Sequence, residues 1–284
     1  MLTGLTPAVA AGQSSGALLS DSATSFIPEV PADPLAAVVP FGLGERLEYK
    51  VKVGIFNAGS VTMDLSALDT VRGHPSYRAI VEMDAGLMGV RLHDTYTTWF
   101  DVETLQSWRY IRDIDGTFDK RYRHYEFHPE DGIWRREDND EEGPMPTSVP
   151  LDEMSFIYFL RQMPLEVGKT YTLPRYFKEE GNPVVIEVLR KDRRETEGVW
   201  YNTIVIKPTF QTSGLFSEGG NAEMHFSDDD RRLLVYLKAD VPVLPGSLTW
   251  HLRSVDLGMP LHPDARARMH GPNASAPADT ISRH

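Results

Sequence analysis

The densest cluster of ionisable side chains is FSDDDRRLLVYLK at residues 226–238. Its three consecutive aspartates, Asp228 to Asp230, have the chemistry of a calcium or catalytic site. Calcium needs six or more oxygens from spaced positions, however, and three adjacent side chains cannot all point at one ion. Asp and Ser favour turns, because their side chains hydrogen-bond nearby backbone N–H groups. The segment therefore predicts a hairpin, in which Arg231 and Arg232 partly neutralise the acids.

Two other segments contain residue types found in metal sites. DNDEEG at 138–143 imitates the start of a calcium loop, but Val149 stands where the bidentate glutamate is needed. His124, Glu126 and His128 would share one face of a strand, where two imidazoles and a carboxylate could hold zinc. Metal sites usually recruit ligands from several elements, so an ordinary strand face is the favoured interpretation. We therefore predict no metal and no cofactor.

Composition and motifs exclude several classes of function. The chain has no cysteine, which removes thiol nucleophiles, disulfides and cysteine zinc sites. A net charge of −12 argues against binding nucleic acid, which requires a basic surface. Motifs for serine hydrolysis, zinc proteolysis and phosphate binding are missing from the sequence. A non-enzymatic protein is expected, although the 41 acidic residues leave open a carboxylate pair assembled by folding.

The elements that would position any site are mostly strands. Apolar and polar residues alternate in three successive segments, 45–56, 59–69 and 76–85. This period-two pattern predicts strands with one buried face, joined by turns at 57–59 and 72–75. Similar patterns continue to residue 135 and recur between 170 and 255. We predict an all-β fold, with a large curved, half-barrel-like antiparallel sheet.

One segment, LDEMSFIYFLRQM at 151–163, has helical spacing instead. Asp152 is a suitable N-cap and Pro164 would end the run, which predicts a helix over residues 152–163. Its apolar residues occupy most sides, so the helix is expected to cover the concave face of the sheet. No segment reaches 18 consecutive apolar residues, which predicts no transmembrane span.

The two ends of the chain are rich in Ala, Ser and Pro. We expect flexible or disordered segments at 1–40 and 258–284, around a single β domain at 41–257. Ala8-Val9-Ala10 is an A-x-A pattern of the kind that signal peptidase cleaves, although no basic residue precedes Arg46. The pattern indicates a truncated signal peptide, and hence a periplasmic or secreted protein. A plain Ala/Ser/Pro-rich leader is the alternative.

Three segments follow one another in a recognisable order: GERLEYKVKVGIFNAGSVTM at 44–63, LDEMSFIYFLRQMPLEVGKTY at 151–171 and MHFSDDDRRLLVYLKADVPVLPGSLTWHL at 224–252. In this order they resemble the family of bacterial proteins named domain of unknown function 3108. The resemblance covers about 41–257. It implies an envelope protein whose curved sheet is similar to those of lipoprotein carriers that hold apolar ligands, and it implies no catalytic residues. The family usually has a proline after Arg232, where this chain has Leu233-Leu234-Val235.

The apolar side of the first three strands is the candidate ligand surface. Methionine adapts to irregular shapes, which suits a lipid-like ligand. The side chains predicted to line the ligand are Tyr49, Val51, Val53, Met63, Leu65, Val81 and Met83. The same residues would also serve as an ordinary packed core.

Three functional hypotheses follow. The leading one is a non-enzymatic periplasmic or envelope-associated protein that binds a lipid, another apolar ligand or a lipoprotein-like partner in the concave sheet. The second is a structural or interaction module of the cell envelope with a filled core. In that case exposed residues would contact another envelope component: Trp99, Trp108, Arg109 and Arg112. The third is a carboxylate-dependent hydrolase that acts on an envelope polysaccharide or lipid.

Overall fold

A computed structural model describes residues 39–87, 89–117, 119–210, 222–240 and 246–261. Over these residues the chain forms fourteen strands, one α-helix and a short 3₁₀ turn at Glu179–Gly181. The helix α1 spans Glu153–Gln162. The strands are β1 (Arg46–Val53), β2 (Phe56–Val71), β3 (His74–Leu87), β4 (Val90–Asp101), β5 (Ser107–Asp115), β6 (Lys120–His128), β7 (Ile133–Arg136), β8 (Glu142–Pro144), β9 (Thr170–Leu173), β10 (Val184–Thr196), β11 (Val199–Thr209), β12 (Glu223–Ser227), β13 (Leu234–Asp240) and β14 (Ser247–Asp256).

All fourteen strands belong to one antiparallel sheet in the order β8-β7-β6-β5-β4-β3-β2-β1-β14-β13-β12-β11-β10-β9. Neighbours in the sheet are neighbours in the chain, except where β1 pairs with β14. The sheet therefore consists of two meanders, joined through the first and last strands. The predicted all-β class and large antiparallel sheet are confirmed.

The sheet bends around the helix. Tyr158 of α1 stacks on Phe100 of β4 with ring centroids 5.0 Å apart, while Phe156 meets Phe210, next to β11, at 5.0 Å. These two strands lie far apart in the sheet order, so both reach the helix only if the sheet curves. Phe177, which follows the edge strand β9, packs 5.0 Å from Phe127 of β6. The two ends of the sheet therefore approach each other, and the helix lies on the concave side, which we call the inner face.

The predicted helix is confirmed to within one residue at each end. Asp152 is its N-cap, and the Asp152 side chain accepts hydrogen bonds from the backbone N–H groups of Met154 (2.8 Å) and Ser155 (3.0 Å). All residues from Met154 to Arg161 are buried. The burial of Arg161 is compensated by Glu45, whose carboxylate accepts from its guanidinium at 2.9 Å.

The acidic segment that opened the sequence analysis is a hairpin turn, as predicted. It joins β12 to β13, and Asp229 accepts from the hydroxyl of Ser227 (2.6 Å) and from the backbone N–H of Arg231 (3.2 Å). Asp228 forms an ion pair with Lys191 at 2.8 Å. The aspartate side chains therefore point at different partners, which is the geometry of a turn.

Two sequence predictions about turns and loops are wrong. The turn predicted at residues 57–59 lies instead at Gly54–Ile55, and residues 57–59 belong to β2. Gly59 lies instead next to a β-bulge in β2. Its backbone also approaches β3 closely, because a Cβ at this position would lie 2.0 Å from the carbonyl oxygen of Asp84. The loop predicted after residue 138 contains the short strand β8, which pairs with β7.

The predicted flexible segments at 1–40 and 258–284 lie outside the described residues, apart from 39–40 and 258–261. Near these limits, Val39 and Phe41 are buried and Leu43 pairs with Met259. The domain limits at 41 and 257 stay predictions. No described helix has the length and hydropathy that a membrane span requires.

Candidate functional site

The seven predicted ligand-lining residues come together on the inner face of β1, β2 and β3. Strand pairing places Met63 opposite Val81, and Tyr49 opposite Val61. All seven are buried in one hydrophobic core that also contains the helix. We call the inner-facing side of β12–β14 and β1–β3 the apolar half. Contact between these residues and a ligand stays a prediction.

The packing of the apolar half loosens toward one end of β3. Six of the seven side chains are at most 2% exposed, whereas Met83 is 8% exposed. Beyond Met83, the inner-facing Leu87 of β3 and Leu92 of β4, which is opposite Ala85, are only partly buried. The described side chains of the apolar half are therefore most deeply buried beneath the helix and less deeply buried toward the β3–β4 end.

A group of polar side chains lies directly beside this loosened end. We call it the polar cluster: Asp94 and Tyr96 of β4, Tyr110 and Arg112 of β5, Glu153 of α1, and Tyr176 after β9. The register places Met83 opposite Asp94, and Val81 opposite Tyr96. Directly opposite residues of an antiparallel pair project from the same face. The polar cluster therefore continues the inner face without a break.

Hydrogen bonds and ring contacts connect the cluster. The Tyr96 hydroxyl donates to Asp94 at 3.1 Å, and Arg112 lies 5.8 Å from the centre of the Tyr96 ring. Arg112 also donates to Glu153 at 3.4 Å, and the Tyr176 hydroxyl donates to the same carboxylate oxygen at 3.0 Å. Helix α1, strands β4 and β5 and the segment after β9 therefore meet through five of the six side chains, all except Tyr110.

Burial sets the protonation states in the cluster. It raises the pKa of Asp94, against the opposing effects of the Tyr96 hydrogen bond and of Arg112. It also raises the pKa of the tyrosines Tyr96, Tyr110 and Tyr176, which remain neutral donors at ordinary pH. Burial lowers the pKa of Arg112, but Glu153 and the three tyrosines together outweigh that effect, so the pKa is raised and Arg112 stays charged. The cluster thus offers fixed donors beside carboxylate acceptors.

Several polar atoms of the cluster have no hydrogen-bond partner among the described residues. They are Asp94 Oδ1, Tyr110 Oη, Arg112 Nε and Glu153 Oε2. Tyr110 is fully buried and Asp94 is 6% exposed. Buried polar atoms in native proteins are nearly always paired with protein or water. These four atoms are therefore free to pair with water or with a ligand.

The cluster rests on a rigid support formed by Asp152. One carboxylate oxygen caps the helix, and the other accepts from the hydroxyls of Thr98 and Ser107, each at 2.6 Å. Burial raises the pKa of Asp152 to about 6, against the effect of these hydrogen bonds. Because the bonds connect β4, β5 and the start of α1, they fix where Glu153 stands.

The proposed contact group of Trp99, Trp108, Arg109 and Arg112 does not form one surface. Arg109 stacks on Trp99 with 5.3 Å from guanidinium to ring centre, on the convex face. Arg112 is opposite Tyr96 on the inner face, and Trp108 is only 5% exposed. The grouping is wrong because Arg109 and Arg112 are three positions apart in a regularly paired part of β5, and the alternation of a strand places such residues on opposite faces.

The candidate metal residues are held by other partners. Glu126 accepts from Arg72 and Arg109, and lies 2.9 Å from a ring nitrogen of His124. His128 approaches Glu130 instead, and these two with Asp131 are the one group of metal-binding type found in the described part of the chain. In the 138–143 segment, Asp138 and Glu141 both pair with Arg136.

The sequence analysis missed the polar cluster. A signal was present in β4, where the inner-facing positions 94, 96 and 98 are Asp, Tyr and Thr. Polar residues at positions that the neighbouring strand β3 fills with Ala, Val and Met indicate a polar site on a buried face. The contributions of Glu153 and Tyr176 could not be found this way, since they depend on tertiary packing.

Comparison with known proteins gives one solved structure with a similar fold and one matching family model. No curated protein matches the sequence. A beta-barrel-like protein of the domain of unknown function DUF1849 from Brucella abortus is similar in structure, with a TM-score of 0.50 and 11% identity, over 78% of this chain and 100% of that chain. A DUF1089 family protein from Pseudomonas aeruginosa has a TM-score of 0.34 and 14% identity, over 69% and 96% of the two chains. The family model described as protein of unknown function (DUF3108) matches residues 48–253, and the chain belongs to that family.

Proposed function

We propose that the protein is a non-catalytic binding protein of the bacterial envelope that holds an apolar ligand, or the apolar part of a lipoprotein-like partner, on its inner face. The lining would comprise the seven predicted residues: Tyr49, Val51, Val53, Met63, Leu65, Val81 and Met83. The deeply buried members form the floor, and Met83 lies at the mouth.

The observation that carries this proposal is the lower burial of apolar side chains toward the β3–β4 end. Val81 is 1% exposed, Met83 is 8% and Ala85 is 4% exposed, and Leu87 of β3 and Leu92 of β4 are partly accessible. Ligand sites are concave, mostly apolar and supplied with a few polar groups. The end of the apolar half beside the polar cluster has this character.

Binding of an uncharged fluorescent dye, N-phenyl-1-naphthylamine, tests the proposal. We expect saturable binding by the wild-type chain. Leu92→Asp should weaken it at least about tenfold, because a charge at the mouth must be desolvated. The matched control is Leu189→Asp on β10, where the leucine is 38% exposed. Absence of saturable dye binding, or equal losses in both variants, would contradict the proposal.

The envelope location is a separate proposal. It is supported by the Ala8-Val9-Ala10 pattern. Expression of the natural gene product in a bacterial host, followed by fractionation and N-terminal sequencing, tests it. Mature protein in the periplasmic fraction supports export, and an unprocessed chain in the cytoplasmic fraction contradicts it.

A second candidate, an interaction module with a filled core, is favoured by one specific observation. Six of the seven lining side chains are at most 2% exposed, as in an ordinary core. Under this alternative the dye does not bind, and crosslinking in intact envelopes captures a protein partner through the convex face. The dye titration therefore separates the two candidates.

A further inference from the structure

The polar cluster contains more hydrogen-bonding capacity than the protein uses. Its unpaired atoms include two carboxylate oxygens, one guanidinium N–H and one phenol hydroxyl. Leaving a buried donor or acceptor unpaired costs about 1–3 kcal/mol each. Several unpaired polar atoms on one face therefore do not stabilise the fold. Their concentration in the polar cluster points to recognition of a ligand.

The mix of charges identifies the kind of ligand. Arg112 on β5 has Arg123 of β6 directly opposite on the same face, and the two carboxylates are Asp94 and Glu153. These charges balance. A phosphate or carboxylate head would be repelled by the two acidic side chains, and a cationic head would be repelled by the two arginines. An uncharged head that can donate and accept hydrogen bonds avoids both repulsions.

A head group rich in hydroxyls meets this requirement, because each hydroxyl donates one hydrogen bond and accepts others. Aromatic rings complete the match, since Tyr96, Tyr110 and Tyr176 provide apolar ring surface beside the polar atoms. The apolar end of such a molecule would lie next to Met83, which is opposite Asp94. Head and tail then fall on adjoining parts of one face.

We propose that the polar cluster binds the uncharged, hydroxyl-rich head of an amphipathic molecule, such as a sugar or glycerol head, whose apolar tail occupies the mouth of the apolar half. This deepens the proposed function and rests on it. Arg112 donates to a hydroxyl oxygen, while Asp94 and Glu153 accept from hydroxyl hydrogens.

Titrations with amphiphiles of equal chain length below their micelle concentrations test the proposal. The probes are octyl β-glucoside, monooctanoylglycerol, octyl phosphate and octyltrimethylammonium. We expect the two hydroxyl heads to bind at least about tenfold more tightly than the two charged heads. A preference of one hydroxyl head over the other separates a sugar site from a glycerol site.

Two substitutions locate the effect. Arg112→Lys keeps the charge but removes the Nε donor, and Asp94→Asn removes the acceptor charge. Each should weaken binding of the preferred hydroxyl head about tenfold and leave binding of N-phenyl-1-naphthylamine unchanged. The control variants are Asp113→Asn and Arg253→Lys, both at exposed positions. If a cluster variant fails to fold, the wild-type series alone decides.

The outcomes distinguish the two proposals. Dye binding without preference for hydroxyl heads would overturn the head-group site and leave the proposed function standing, with water as the partner of the polar atoms. Failure of the dye and of every amphiphile would overturn both. Release of glucose from octyl β-glucoside, abolished by Asp94→Asn, would replace the binding site with a hydrolytic one.

Discussion

The apolar half and the polar cluster lie side by side on one face, but they differ in how fully their buried polar atoms are paired. In the apolar half the Tyr49 hydroxyl donates to the carbonyl of Leu234 at 2.9 Å, although Trp250 Nε1 has no partner among the described residues. In the polar cluster, atoms of Asp94, Tyr110, Arg112 and Glu153 lack described partners. Unpaired polar atoms are therefore concentrated in the polar cluster, at a cost in stability. Such sacrifices are typical of functional sites.

The largest loss in the free energy of unfolding is expected where helix α1 covers the apolar half. Arg161 and Glu45 form an ion pair whose side chains are 1% and 2% exposed. Arg161→Met leaves a buried carboxylate unpaired, so we expect a loss of about 3–5 kcal/mol in the free energy of unfolding, measured by urea denaturation. Adding Glu45→Gln should recover at least half of the loss. A loss below about 1 kcal/mol would show that the helix does not seal this region.

Shortening one buried apolar side chain tests the packing of the same region. Leu65 is fully buried, and Leu65→Ala should cost about 2–5 kcal/mol through lost transfer energy and the cavity left behind. The matched control is Leu257→Ala, because Leu257 is 59% exposed and its loss should lie within about 0.5 kcal/mol. Equal costs at both sites would mean that the apolar half is not a packed core.

A pH dependence of stability is expected from the convex face of β12, on the side of the sheet opposite the apolar half. Burial, together with the neighbouring Arg194, lowers the pKa of the fully buried His225 to about 4. The unfolded state holds this proton with a pKa near 6.5, so the unfolded chain binds more protons as the pH falls. Stability is complete above about pH 6.5 and decreases as the pH falls toward 4.

His225→Gln isolates this effect from the carboxylates that also titrate. Between pH 7 and pH 4.5 we expect the wild type to lose about 2 kcal/mol more than the variant, measured by urea denaturation at both pH values. His93→Gln is the control, because the His93 side chain is 53% exposed. Identical profiles for wild type and His225→Gln would contradict the buried neutral state of His225.

The smallest change in the free energy of unfolding is expected in the polar cluster, and it has the opposite sign. Tyr110→Phe removes a buried hydroxyl that has no partner in the described part of the chain. The free energy of unfolding should stay equal or rise by up to about 1 kcal/mol, because an uncompensated polar atom is lost. Affinity for the preferred hydroxyl-headed amphiphile should fall several-fold. A loss of stability above about 1 kcal/mol would show that this hydroxyl is paired in the folded protein.

The same contrast explains which features the sequence predicts. Period-two alternation reveals the apolar half, because Tyr49, Val51 and Val53 alternate with charged residues that face solvent. Asp152 and Pro164 mark the helix through local chemistry. Strand pairs follow from the short turns between consecutive strands, such as Arg72–Gly73.

The polar cluster depends on events that local pattern does not contain. Arg112 faces inward because strand pairing places it opposite Tyr96, and Glu153 reaches it only when the sheet bends around α1. Tyr176 comes from the opposite edge of the sheet. Convergence of this kind is set by tertiary packing, so a sequence reading finds at most the polar positions of β4.

Methyl NMR with ¹³C-labelled methionine tests the central claim most directly, because the two ends of the apolar half carry different methionines. Met83 lies at the mouth beside Asp94, and Met224 is fully buried in β12. On addition of octyl β-glucoside, a saturable shift of the Met83 methyl signal is expected while the Met224 signal stays in place. An unchanged Met83 signal at saturating amphiphile, or equal shifts of both signals, would contradict a binding site at this end of the inner face.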